Sequence, residues 1–79
     1  MGKEKTTIEA IFGQVLREVR SNAGISQEKL ALEANLDRTY ISLLERGLRQ
    51  PSLKTIFVLA SILGIKPSKM IASVEVLIK

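Results

Sequence analysis

Basic side chains cluster in one segment of this sequence, between residues 38 and 54. The lysines and arginines of the segment are Arg38, Arg46, Arg49 and Lys54. Its single acid is Glu45, so the segment is locally positive although the whole chain carries a net charge of only +4. A guanidinium can donate two parallel hydrogen bonds to a phosphate or to the O6 and N7 atoms of guanine. The pattern therefore indicates an anionic partner, and nucleic acid is the commonest one.

The start of this segment predicts a short helix with one apolar and one polar side. The apolar residues recur at helical spacing and are Ile41, Leu44 and Leu48. The polar residues fall on the opposite side and are Arg38, Thr39, Ser42 and Arg46. A helix divided in this way can pack on the protein by one side and present the other side to a partner.

Several residues of this helix are candidates for contacting the edges of DNA bases. They are Arg38, Thr39, Tyr40, Ser42 and Leu43. Arg38 is the first choice, because its guanidinium matches the two acceptors of guanine, and Thr39 can offer a hydroxyl group or a methyl group. Leu43 would be an unusual exposed residue unless it meets a base methyl or a partner subunit. Tyr40 has two open roles, contact with DNA or packing of its ring beneath the first helix.

A second short helix precedes this one at the distance typical of a helix-turn-helix. Ser26 and Asp37 are N-cap residues that predict where the two helices begin. Asn35 lies in the turn at residues 34–37, and asparagine adopts the left-handed conformation more readily than any residue except glycine. Two helices joined by such a turn place the second helix in the DNA major groove.

Residues 26–47, and more loosely residues 16–65, resemble the Cro and lambda-repressor class of helix-turn-helix regulators. The resemblance rests on Gln27, Ala31, Leu36, Ile41, Leu44, the string LLERG and Gln50-Pro51-Ser52. Within that class, NLDRTYIS followed by ERG is most similar to the controller proteins of restriction-modification systems. The class usually has glycine where this chain has Asn35, which is a departure.

The resemblance implies roles for several residues and a function for the chain. Gln27 would clamp a DNA phosphate, and Arg20 would pair with Glu45 to tie the first helix to the recognition helix. Arg46 and Arg49 are expected to contact the DNA backbone. The implied function is a sequence-specific, DNA-binding transcriptional regulator, the controller of a restriction-modification system, acting on double-stranded DNA upstream of its own or neighbouring genes.

Three further helices are predicted around the motif. Thr6 or Thr7 caps the first, Ser52 caps the fourth, and Pro67 suits the first turn of the fifth. The apolar stripes are Ile8, Ile11, Phe12, Val15, Leu16 and Val19 in the first helix; Leu53, Ile56, Phe57, Ala60 and Leu63 in the fourth; and Met70, Ile71, Val74, Leu77 and Ile78 in the fifth.

The last segment also shows an alternation that would fit a short strand, at Val74, Val76 and Ile78. We prefer a helix, because the sequence offers no second strand to pair with it. The prediction is therefore an all-α, lambda-repressor-like fold, a compact bundle of five helices with a central helix-turn-helix at residues 26–47. Residues 1–79 would form a single domain.

The apolar excess of the fourth and fifth helices predicts a homodimer, since exposed apolar surface is rare on monomers. The predicted interface consists of Val58, Leu59, Ile62, Ile71 and Val74, with residues 65–79 completing it. A two-fold axis would then place two recognition helices about 34 Å apart on a palindromic operator. In the alternative, both helices only complete the core of the monomer.

The sequence contains neither cysteine nor histidine. It therefore lacks thiolate and imidazole metal ligands and the commonest general base, and we predict no enzyme, metal, cofactor or small-molecule effector. No apolar run reaches the roughly eighteen residues of a membrane span, and the start MGKEKTT lacks the apolar core of a signal peptide. We expect a cytoplasmic protein with no membrane partner.

Other functions fit the same residues. A phage-type repressor or an antitoxin would have the same fold, and the neighbouring genes would distinguish them. In a different class, the bundle is a protein-interaction module whose basic side is incidental. That hypothesis predicts weak DNA binding without sequence preference.

Overall fold

The computed structural model describes residues 7–78. Within this range the chain forms five helices and no strand: α1 (Ile8–Ala23), α2 (Gln27–Ala34), α3 (Arg38–Glu45), α4 (Leu53–Leu63) and α5 (Pro67–Leu77). The predicted all-α fold is confirmed. The helical prediction for the last segment is also confirmed, because α5 runs through Val74 and Val76 and only Ile78 is extended. Residues 1–6 and 79 of the predicted domain lie outside the described residues.

Short side-chain hydrogen bonds fix where the first four helices begin. Three caps accept a bond of 3.0 Å from the backbone N–H three residues further on, namely Thr7, Ser26 and Ser52. Asp37 accepts a bond of 3.1 Å from the N–H of Thr39. These bonds satisfy N–H groups that have no partner within their own helix. α5 has no side-chain cap and begins at Pro67, whose fixed φ suits a first helical residue.

The turn of the helix-turn-helix depends on Asn35. This residue is left-handed, with φ 57° and ψ 44°, and it ends α2. The following N–H, of Leu36, donates to the carbonyl of Ala31 at 2.9 Å and closes the turn. The prediction that Asn35 adopts the left-handed conformation of this turn is therefore confirmed.

Every helix contributes to one apolar core. Its buried members are Ile11, Phe12, Val15, Leu16, Leu30, Ala31, Ile41, Leu44, Leu59, Ala60, Met70 and Val74. α1 packs against α3, α4 and α5, while α2 packs against α3 and α4. Ile41 and Leu44 have no exposed surface, so the apolar side of α3 is anchored in the core and its opposite side faces outward.

Some residues predicted on apolar stripes lie at the surface. Leu48 is 59% exposed, because α3 ends at Glu45 and the chain turns at Gly47 before reaching it. Leu53 and Phe57 are exposed as well, because α4 turns Leu59 toward the core instead. Ile8 is exposed at the first turn of α1. The stripe predicted for the fifth helix also includes exposed residues, namely Ile71, Leu77 and Ile78. The stripe assignments were therefore wrong at these seven positions.

A helix that crosses a membrane must be both long and predominantly apolar. Among residues 7–78, no single helix is both long and apolar enough. α4 and α5 together are long and apolar enough by length and composition alone, but the chain bends by 108° between them.

Candidate nucleic-acid interface

The first turn of α3 presents its polar side chains to solvent. Arg38 and Thr39 are exposed, while Ser42 and Leu43, one turn later, are half-buried. The ring of Tyr40 packs against the core and is also half-buried, which agrees with the packing role considered for it. Of the five predicted base-reading residues, Arg38 and Thr39 are therefore the most accessible to a DNA duplex.

Arg38 forms an ion pair across the helix-turn-helix with Glu28 of α2. The guanidinium Nε lies 3.2 Å from the carboxylate Oε2, and both side chains are more than half exposed. Neither terminal nitrogen of Arg38 donates a hydrogen bond to another residue in the range 7–78. The base-reading candidate is thus oriented by an acid on the neighbouring helix and keeps its outer donors free.

The predicted phosphate contacts fall into two groups. Arg46 and Arg49 are exposed, and no ion pair joins either of them to the rest of the described chain. Gln27 is half-buried, and its Nε2 donates a hydrogen bond of 2.9 Å to Glu45. The side-chain amide of Gln27 is therefore held by the recognition helix, with only its second N–H left for a phosphate.

Glu45 and Arg20 form the pair that the resemblance implies. Arg20 Nε lies 2.6 Å from Glu45 Oε2, and its Nη2 lies 3.1 Å from Oε1. The third nitrogen, Nη1, donates to the carbonyl of Ile25 at 2.9 Å. The Glu45 side chain is only 2% exposed. This bidentate pair joins α1 to the end of α3 and, through Gln27, to the start of α2.

The electrostatic state of Arg20 follows from this geometry. Its hydrogen bond to Glu45 raises the pKa of Arg20 above the ordinary value, against a smaller opposing effect of burial. Because the pKa is raised on folding, the resulting stabilisation is complete below the unfolded pKa and is lost only as the pH rises through the folded one. The pair therefore keeps its charged arginine throughout the neutral pH range.

The burial of Glu45 also determines the charge of the outer surface. This carboxylate is the only acid between residues 38 and 54, and it is neutralised by Arg20 inside the protein. The cations of the same segment are all exposed, namely Arg38, Arg46, Arg49 and Lys54. Arg38 shares its charge with Glu28, whereas Arg46, Arg49 and Lys54 form no ion pair within residues 7–78 and supply the positive charge that attracts phosphates.

Two features of this site were missed by the sequence predictions. They are the pairing of Glu28 with Arg38 and the bond that holds Gln27 to Glu45. The available signal was weak, an acid directly after Gln27 in the first turn of α2. Ten positions separate Glu28 from Arg38, and only the angle between two packed helices brings them together.

The predicted dimer interface needs a correction. Leu59 has no exposed surface and Val74 only 5%, because both lie in the core of the single chain. Neither can therefore offer its side chain to a partner. Ile71 is exposed, while Val58 and Ile62 are half-buried. The exposed apolar residues that the interface prediction omitted are Leu53 and Phe57.

Metal ions in proteins are bound mainly by carboxylate, imidazole and thiolate side chains. Within residues 7–78, no three or more carboxylate, imidazole or thiolate side chains gather closely enough to hold an ion.

The family of the chain follows from a match to a sequence model described as helix-turn-helix, which covers residues 16–70. This range contains α2, α3, α4 and most of the core. The chain belongs to the helix-turn-helix family. As a member of this family it is a DNA-binding transcriptional regulator, and α3 is the recognition helix of its motif.

Two relatives of this helix-turn-helix protein are a control protein and a phage repressor. Control protein C.BamHI of Bacillus amyloliquefaciens is 46% identical over 65 residues, which are 81% of this chain and 80% of the relative. The immunity repressor of Bacillus phage phi105 is 39% identical over 67 residues, which are 85% of this chain but only 46% of the repressor.

A solved structure supports the fold of this helix-turn-helix protein. The crystal structure of the restriction-modification controller protein C.AhdI from Aeromonas hydrophila superposes with a TM-score of 0.74 and 48% identity. The match covers 77% of this chain and 92% of C.AhdI. The arrangement of helices described above is therefore shared with an experimentally determined controller protein.

Proposed function

We propose that this helix-turn-helix protein is the controller of a restriction-modification system and binds a palindromic operator as a homodimer. The observation that carries the proposal is the geometry of α3. Ile41 and Leu44 anchor one side in the core, and Arg38 and Thr39 project from the other. The controller role is supported by the identity with C.BamHI, which extends over 80% of that protein.

The two kinds of contact that DNA recognition needs are supplied by different residues. Arg38 and Thr39 are proposed to read base edges, with Ser42, Leu43 and the Tyr40 hydroxyl at the margin of the contact. Base contacts of this kind provide sequence preference, whereas phosphate contacts provide affinity that falls with salt. Proposed phosphate contacts come from the free N–H of Gln27 and from Arg46 and Arg49.

Arg38→Ala tests the assignment of base reading. We expect the preference at one base pair of each half-site to fall by about 1 to 3 kcal/mol, because a bidentate bond to guanine is lost. The matched control is Arg49→Ala, which removes an equal charge after α3. It should weaken binding to every duplex alike and reduce the slope of log K against log salt by about 1.

The measurement is a titration of both variants against a set of duplexes at several salt concentrations. The set contains the DNA upstream of the gene, single-base variants of it and a scrambled duplex. If Arg38→Ala weakened all duplexes equally, the base-reading role would be refuted. If the wild-type protein bound every duplex with equal affinity and dissociated from all of them as the salt concentration rose, the protein-interaction alternative would be favoured.

We further propose that dimerisation uses an exposed apolar patch formed by Leu53, Phe57 and Ile71. These side chains are 71%, 55% and 44% exposed, and they line one continuous groove between α4 and α5. Contiguous apolar surface of this kind marks interfaces more often than free monomer surface. The patch takes the place of the buried residues Leu59 and Val74 in the interface first predicted.

Phe57→Asp tests this interface. Aromatic residues at the centre of an interface commonly contribute about 2 kcal/mol or more, so the dimer dissociation constant should rise at least thirtyfold. Leu32→Asp is the control, because Leu32 is an apolar residue on α2 that is 77% exposed and lies outside the patch. Sedimentation equilibrium would measure both. Equal effects of the two substitutions would place the interface elsewhere.

A phage-type repressor is the second candidate, and the identity with the phi105 immunity repressor favours it. The weaker point is coverage, since the match spans only 46% of that repressor. The genes beside this one distinguish the two proposals. A methyltransferase and a nuclease would support the controller role, whereas phage genes would support the repressor.

A further inference from the structure

We infer that Glu28 is a specificity-determining residue of this regulator, which acts by positioning the guanidinium of Arg38. The inference rests on the proposed function, because it assumes that Arg38 reads a base. Its basis is the ion pair of 3.2 Å between Glu28 Oε2 and Arg38 Nε. Glu28 is therefore a positioning residue, distinct from the residues that contact the bases.

The atom through which the pair forms decides what Arg38 can do. Glu28 engages Nε, on the side of the guanidinium nearest to the aliphatic stem. The two terminal nitrogens donate no hydrogen bond within residues 7–78 and remain as a pair of donors. Guanine presents O6 and N7 side by side in the major groove, and such a pair of donors matches them. The geometry thus selects an end-on approach of Arg38 to guanine.

Holding the side chain before binding also reduces the entropy lost on binding. A free arginine has many rotamers, and fixing one of them opposes association. The backbone that carries Glu28 is fixed, since this residue follows the N-cap Ser26 in the first turn of α2. A guanidinium already oriented for guanine gains more binding free energy on guanine than on any other base. The ion pair therefore increases discrimination between sequences.

Glu28→Gln is the test, with Glu33→Gln as its matched control. Both acids are exposed residues of α2 and each pairs with one cation, but Glu33 pairs with Lys29 at 3.4 Å. Successive residues of a helix are about 100° apart, so Glu33 lies about 140° from Glu28 around the axis of α2. Both variants lose the same charge and only one loses contact with Arg38. Thermal unfolding should be nearly unchanged in both, because exposed pairs contribute little stability.

The probe is a pool of randomised duplexes from which the wild-type protein selects its best site. The test position is the base pair at which Arg38→Ala loses its preference. There we expect Glu28→Gln to reduce the ratio of affinities for the best and the other bases about threefold to tenfold, because the ion pair with Arg38 and the ordering of its side chain are both lost. Glu33→Gln should leave discrimination unchanged. In an Arg38→Ala background, Glu28→Gln should have no further effect on discrimination, because the two residues act through one contact.

The outcomes separate this inference from the function on which it rests. If the wild-type protein selected no sequence from the pool, the proposed function and the inference would both fail. If it selected a site and the two glutamate variants discriminated equally well, the inference alone would be refuted. A loss of discrimination that persisted without Arg38 would also refute it, since Glu28 would then act on DNA by itself.

Discussion

Gly13→Ala is expected to destabilise the protein by about 3 kcal/mol, near the upper end of the usual cost of overpacking. A Cβ atom at this position would lie 2.4 Å from the carbonyl oxygen of Leu44 and 2.6 Å from that of Glu45. Both are backbone atoms of the recognition helix, so no side chain can rotate away. Alanine is intrinsically better than glycine in a helix by about 1 kcal/mol, but α1 and α3 would have to separate.

Thermal unfolding measures this effect, and the melting temperature should fall by roughly 10 to 25 °C. Gly64→Ala is the control, because Gly64 has a positive φ of 72° but open space where its Cβ would lie. It should cost only about 1 to 2 kcal/mol, through backbone conformation alone. If Gly13→Ala were the more stable of the two, the close approach of the helices would not limit stability.

Glu45→Ala is expected to cost about 3 to 5 kcal/mol, because it leaves the charge of Arg20 without its partner in a largely buried site. Glu45 accepts bonds from both Arg20 and Gln27, so two elements lose their connection to α3. Chemical denaturation measures the free energy of unfolding. The control, Glu33→Ala, breaks an exposed pair with Lys29 and should cost less than about 0.5 kcal/mol.

A double variant separates the two possible causes of this loss. Arg20→Met combined with Glu45→Leu replaces the pair by apolar side chains of similar size. If an uncompensated charge causes the loss, the double variant should recover most of the stability. If it were as unstable as Glu45→Ala, the loss would come instead from the bond between Gln27 and Glu45, which both variants remove.

The same network links stability to recognition. Gln27 and Glu45 belong to the two helices of the motif, and Arg20 belongs to α1. Their shared bonds fix the angle at which α3 leaves the core, and therefore where Arg38 lies relative to α2. Variants at Glu45 should consequently be judged by stability first, because a change in DNA binding would follow from the altered position of the recognition helix.

Local chemistry made much of this fold predictable from the sequence. The caps Ser26, Asp37 and Ser52 mark helix starts because their side chains bond backbone N–H groups only three residues away or fewer. Asn35 marks the turn because few residues other than glycine adopt its left-handed conformation. The core side of α3 follows in the same way from the helical spacing of Ile41 and Leu44.

Predictions failed where an apolar residue had more than one possible neighbour. α4 is apolar on nearly every side, so periodicity could not tell whether Phe57 or Leu59 faces the core. The structure buries Leu59 and exposes Phe57, because the packing of α4 against α1, α2 and α5 fixes its rotation. The interface prediction inherited this ambiguity, which explains why it included Leu59 and Val74.

The five helices, the turn at Asn35 and the polar side of α3 can be predicted from the sequence, since each depends on interactions within a few residues. Which atoms meet across helices depends on how the helices pack. Gln27 bonds to Glu45, and Glu28 pairs with Arg38, because α2 and α3 cross at one particular angle. That angle is set by the packing of both helices into the buried core, which cannot be derived from the spacing of residues along one helix.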